Sequence, residues 1–255
     1  MNLESTIAQF ESITLKEMDK VKLMNRTDRK YWFHRDHLSQ ILTQVADKYY
    51  ILEIDSERNM PYATTYYDTL TDQMYGNHHR GKRNRYKIRR RSYLSSQSSF
   101  LEVKFKNNKG RTIKVRKPSP FCGAEFDEQD QKFIQENTPY IYSDLRKTLE
   151  NSFSRLMLVS KAMNERCTID SSLKFASSES STTLSDLVIV EVKSDGRSHS
   201  PIIDALNSHR LKPSGFSKYC MGRSLTDKGL KHNNFKEKQR TIDKIINNPI
   251  NRETA

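Results

Sequence analysis

The sequence predicts an α+β fold: a closed antiparallel β-barrel of about eight strands with flanking helices. Three observations predict it. Alternation of period two, the period of side chains along a strand, dominates the middle of the chain. Period 3.6 is confined to shorter patches between the strands, which points to α+β rather than a regular βαβα order. In several strands the cationic side chains share one parity, so they gather on one face of a sheet.

The elements follow in order. "DRKYWFHR" reads as a strand and "DHLSQILTQVADKY" as a helix, with Asp36 as cap and Leu38, Ile41, Leu42 and Val45 on one face. "YATTYYD", "NRYKIRRRSY", "SFLEVKFK" and "RTIKVRK" are strands, and "NNKG" between the last two reads as a hairpin turn. A helix in "FDEQDQKFIQEN" precedes the strands "SRLMLVSKA", "ERCTIDSSLKF" and "DLVIVEVK". The Ser/Thr-rich "SSESSTTLSD" (177–186) reads as a mobile connection between the last two of these. "SPIIDALNSHR" is a helix with Ser200 as cap and Pro201 at its first position. We expect one domain over residues 1–227, then a basic tail over 228–255 with a short helix around Ile242 to Ile246.

Composition narrows the function. Lys and Arg total 44 against 31 Asp and Glu in 255 residues, a net charge of +13, so the partner is expected to be anionic. No apolar run approaches the roughly 20 residues of a membrane span. The N-terminus lacks the basic and apolar regions of a signal peptide, and a cytoplasmic protein is expected. Cys122, Cys167 and Cys220 are widely spaced without a CxxC pair and are expected to be buried thiols. Nothing reads GxxxxGK[ST], which excludes a P-loop enzyme.

Parity locates the charges. Arg85, Lys87, Arg89 and Arg91 share one face with Tyr93, while Tyr86 and Ile88 lie on the other. Glu102, Lys104 and Lys106 oppose Leu101, Val103 and Phe105; Glu191 and Lys193 oppose Val188, Val190 and Val192. Like charges facing each other on paired strands destabilise a sheet, so these rows need bound anions or interleaved carboxylates. A sheet curled around its charged face supplies both an interior and a ligand for it. Arginine suits phosphate because its guanidinium forks two hydrogen bonds onto the oxygens and stays charged when desolvated. Lys87 and Lys193 join such a substrate-binding lining, and Glu102 and Glu191 are candidate ligands for a hard cation, Mn²⁺ or Mg²⁺.

The blocks "KLMNRTDRKYWF", "TTYYDT", "KIRRRSY", "FLEVKFK", "SFSRLML", "ERCTID", "VIVEVK" and "GFSKYCMG" stand in an order that resembles the vacuolar transporter chaperone (VTC) domain. That is the polyphosphate polymerase domain of the triphosphate tunnel metalloenzyme (CYTH-like) superfamily. The similarity runs from about residue 10 to 225, and the chain looks like a free-standing, bacterial-type member. The resemblance implies a β-barrel whose tunnel binds triphosphate. It implies that Arg89, Arg91, Lys104, Arg155 and Arg166 act on the phosphates, that Lys30 and Lys218 bind substrate, and that Glu191 binds metal. The implied reaction is metal-dependent transfer of the γ-phosphoryl of ATP or another NTP to phosphate or polyphosphate, with no specific nucleic acid partner. Two alternatives stay open: a tripolyphosphatase or nucleoside triphosphatase on the same fold, and a non-catalytic binder of polyphosphate or RNA. The superfamily's hydrolases carry Glu-x-Glu-x-Lys on the first strand. Here the stretch reads "RTDRK", keeping only Asp28 and Lys30, which leans toward transfer.

Overall fold

The computed structural model describes residues 2–19, 21 and 27–247. Residues 22–26 of the first quoted block and 248–255 of the predicted tail lie outside them. The chain starts with α1 (Leu3–Ile7), β1 (Glu11–Ile13), α2 (Leu15–Met18), β2 (Thr27–His34), α3 (Leu38–Thr43), β3 (Tyr49–Leu52) and β4 (Met60–Thr69). It continues with α4 (Gln73–His79), β5 (Arg85–Tyr93), β6 (Ser98–Lys106), β7 (Thr112–Pro118), α5 (Glu128–Asn137) and β8 (Leu145–Ser160). The last elements are β9 (Glu165–Ala176), β10 (Ser181–Leu184), β11 (Leu187–Ser194), α6 (Pro201–Ser208), α7 (Lys218–Thr226) and α8 (Lys236–Asn247). This is the α+β class, with a large, mostly antiparallel sheet.

All the strands join one sheet with main path β2-β11-β9-β8-β4-β5-β6-β7. Off that path β1 pairs in parallel with β3, β3 pairs with β8, and β10 pairs with β9. The path holds the expected eight strands, and β1, β3 and β10 add to it; among the described residues no hydrogen bonds join its ends, β2 and β7, so main-chain pairing does not complete the ring. The charged residues of β7, Lys114, Arg116 and Lys117, are of the kind that edge strands carry.

Apolar parity fixes the outer layers. Tyr31, Phe33, Ile169, Val188, Val190 and Val192 pack under Leu42 of α3 and Ile202 and Leu206 of α6. A second outer core joins Ile88, Leu101 and Val103 to Ile134 of α5. Arg90 belongs to this outer side: it is fully buried and paired with Asp130 of α5, whose N-terminus Asp127 caps. The other face of the sheet carries α7, packed among Leu149, Phe175, Ile189 and Leu184.

Several local expectations need correction. The supposed mobile stretch contains β10, where Ser181–Leu184 pairs with Leu173–Ala176 of β9. Asp36 sits inside a 3₁₀ turn (Arg35–His37), and the capping acceptor there is the His34 ring. Cys122 is half-buried, while Cys167 and Cys220 are buried as expected. The tail segment up to residue 247 is packed rather than free. Phe235 and Ile242 are buried in the same core as α7, and α8 is longer than the helix predicted there.

Candidate active site

Strand register brings the predicted charges into one array. From β5 outward, Lys87 lies opposite Lys104 and Arg89 opposite Glu102, and β7 then sets Lys114 against Lys104. In the other direction Arg89 faces Tyr66 and Arg91 faces Thr64 on β4. On the far side of the sheet Arg155 of β8 is opposite Asp170 of β9, and Glu191 of β11 is opposite Lys30 of β2. All these side chains share the face that carries α7.

That face is curled. β5 and β9 are separated in the ladder by β4 and β8, yet the N-terminus of α7 joins them. Lys87 Nζ donates to Ser217 Oγ at 3.0 Å, and the next residue, Lys218, pairs with Asp170. Lys30 on the terminal strand β2 adds to the repulsion around Lys87, and Arg155 adds to that around Arg91.

Three carboxylates anchor the array, each shared by two cations. Arg89 Nη2 reaches Glu102 Oε2 at 2.6 Å, with Lys114 on the other oxygen. Arg155 grips Asp170 through Nε at 2.5 Å and Nη2 at 2.8 Å, with Lys218 completing the trio. Lys30 pairs with Glu191, and Lys193 lies 3.4 Å from its second oxygen. Burial raises the pKa of each carboxyl, but the adjacent cations outweigh it and hold all three well below the usual carboxylate range.

The remaining cations have no carboxylate. Among the described residues Lys87, Arg91 and Lys104 form no ion pair. Arg91 Nε donates to Thr64 Oγ1 at 3.3 Å, and its guanidinium lies 5.7 and 5.6 Å from the ring centres of Tyr62 and Phe153. The charge of Arg89, then burial, then Arg91 push the Lys104 ammonium pKa well below its ordinary value. Arg166 stands apart: its guanidinium donates to the Met18 carbonyl and lies 3.9 Å from Asp19, at the rim near α2.

Asp170, Lys114 and Ser217 were missing from the sequence reading. Asp170 shares parity with Arg166 in "ERCTID", so alternation was signal enough to find it. Lys114 likewise shares parity with Arg116 on β7.

A VTC domain profile matches residues 25–226, most of the chain. The chain belongs to the VTC domain family. No curated protein matches it. Among solved structures it is similar to a candidate adenylate cyclase from Bacillus halodurans, at 12% identity and TM-score 0.47, over 76% of this chain and 96% of that one. One from Vibrio parahaemolyticus aligns at 10% identity and TM-score 0.47, over 80% and 99%. A candidate adenylyl cyclase from Hippeastrum, described as having a dominant triphosphatase activity, aligns at 12% identity and TM-score 0.46, over 82% and 100%. No helix among the described residues of this VTC domain is long and apolar enough to cross a membrane.

The two acidic candidates fit a metal ion unequally. Glu102 is fully buried between Arg89 and Lys114, which makes it the less accessible of the two to a cation. Glu191 keeps 21% of its side chain exposed on the charged face. Among the described residues no three His, Cys, Asp or Glu side chains converge as a metal cage. A divalent ion at Glu191 therefore fits only as Mg²⁺-like ions often bind, through one carboxylate and the oxygens of a bound phosphate chain.

Proposed function

We propose that this VTC domain is a phosphotransferase that moves the γ-phosphoryl of ATP or another NTP onto phosphate or polyphosphate in its cationic tunnel. The observation that carries this reading is the group of unpaired cations, Lys87, Arg91 and Lys104, amid three cation-rich trios. A polyanion beside it relieves the repulsion in such a surplus.

Phosphoryl transfer asks a protein mainly for position and charge. Arg91 and Lys104 meet the nonbridging oxygens of the triphosphate, and Arg89 and Arg155 flank them with geometry fixed by Glu102 and Asp170. Lys87, on the same strand face as Arg89 and Arg91, and Lys218, at the start of α7, hold the chain where β5 meets that helix, and Lys30, Lys193 and Arg166 extend the lining. Glu191 would hold a divalent cation, Mn²⁺ or Mg²⁺, which would neutralise the charge that builds on the transferred group and the diphosphate. No side chain serves as a nucleophile.

The test is incubation with ATP and Mn²⁺, resolving the products by chain length. The expected product is polyphosphate with release of ADP. Orthophosphate alone makes the protein a hydrolase, and tight polyphosphate binding without turnover makes it a binder. Glu191→Gln is expected to abolish Mn²⁺ stimulation with the fold retained at a lower melting temperature, since Lys30 and Lys193 lose their shared partner; unchanged stimulation removes Glu191 from the metal site.

A further inference from the structure

A cavity of about 200 Å³ lies beside the array, at the end of the sheet where β8, β9 and β11 meet α2. One wall is polar: Arg155, Arg166, Lys193 and Thr168. The other is apolar, built from Met18, Val21 and Met157. Pockets for nucleotide-sized ligands start at about 300 Å³, so this space suits one or two phosphate groups rather than a nucleotide.

Thr168 is the informative residue. Its Oγ1 is buried and has no hydrogen-bond partner among the described residues. Its Cα is opposite Glu191 on one side and Met157 on the other, so it stands where the charged face passes into the cavity. A buried hydroxyl left unpaired is destabilising, and an anionic oxygen in the cavity would remove that penalty. Arg166, bonded to the Met18 carbonyl, keeps α2 against the apolar wall.

We propose that the cavity is an acceptor pocket. It takes the terminal phosphate of pyrophosphate or a short polyphosphate, with Thr168 donating to a nonbridging oxygen and Arg166 and Lys193 neutralising the charge. This deepens and rests on the phosphotransferase reading above. A terminal acceptor oxygen attacks the γ-phosphorus and forms the new P–O bond. The bond from that phosphorus to the β–γ bridging oxygen breaks, and its electron pair leaves with the nucleoside diphosphate. Any proton on the acceptor stays with the lengthened chain, and nothing is oxidised or reduced.

The test separates acceptor from donor. Thr168→Val is expected to raise the KM for pyrophosphate about tenfold, the loss of one hydrogen bond to a charged group. The KM for ATP should stay the same, and Thr168→Ser should restore acceptor affinity. A calorimetric titration of pyrophosphate into protein saturated with a non-transferable ATP analogue gives a reading independent of turnover. Additional binding, about tenfold weaker in Thr168→Val, is expected. If pyrophosphate instead displaces the analogue, or if Thr168→Val raises the ATP KM as much as the pyrophosphate KM, the pocket is overturned. Chain-forming turnover combined with such displacement overturns the pocket alone. Absence of chain-forming turnover overturns the phosphotransferase reading and the pocket with it.

Discussion

Arg91 and Arg89 are neighbours on one strand face, yet their removal should have different effects. Arg91 has Thr64 and two aromatic rings for company and no carboxylate, so Arg91→Ala deletes charge without stranding an anion. Turnover of ATP is expected to fall by about 10²- to 10³-fold with little change in melting temperature. Arg89→Ala leaves the buried Glu102 with fewer partners and should also lower stability, by about 3–5 kcal/mol, which a parallel thermal melt checks. Lys104 gives a pH signature. Its folded-state pKa is depressed, and a bound phosphate chain raises it again, so binding tripolyphosphate should take up protons and weaken as pH rises through that depressed pKa. Calorimetry in two buffers of different ionisation enthalpy reads the uptake, and Lys104→Met should reduce it. At this scale much was legible: parity alone grouped Lys87, Arg89 and Arg91. That Lys218 shares Asp170 with Arg155 was not, since Lys218 arrives on a helix whose position no spacing rule encodes. Asp170 was readable but masked by attention to the cations beside it.

At the scale of elements, α7 has the most effect on the site and left the least trace in the sequence. Tyr219, Cys220, Met221, Gly222, Arg223 and Ser224 are all buried, so the helix has no polar stripe and no amphipathic period to read. Its closest approach to the sheet is at Gly222, where an added Cβ would meet Leu149 Cδ2 at 2.5 Å and Phe175 Cδ1 at 2.6 Å. Gly222→Ala should therefore overpack the core and destabilise the fold by about 1–3 kcal/mol, seen as a lower melting temperature. It should also weaken triphosphate binding, because moving α7 moves Ser217 and Lys218. The β10 segment was hidden for another reason: a run of Ser and Thr reads as loop, and only its pairing with β9 makes it a strand. The long strands β5, β6, β9 and β11 were legible because one face of each is apolar and the other charged.

For the molecule as a whole, composition and alternation pointed to the α+β class and an anionic ligand. The end of the sheet path was not foreseeable, because register and edge pairing depend on side chains distant in sequence. The C-terminal segment shows the same effect. Phe235 and Ile242 complete the core around α7, and Gln239 Nε2 donates to the Ser224 carbonyl at 2.8 Å. Truncation before Lys228 should uncover those contacts and cost about 1.5–3 kcal/mol for each apolar side chain lost. An unchanged unfolding midpoint in denaturant would instead make the segment dispensable. The unpaired edges of β2 and β7 have a further effect. A cylinder without a complete main-chain ring has no fixed circumference; its bore is set by a few lysine, serine and aspartate contacts at the start of one helix. Those contacts can lengthen or exchange without unzipping a strand, so the width of the channel can change while every strand pair stays intact.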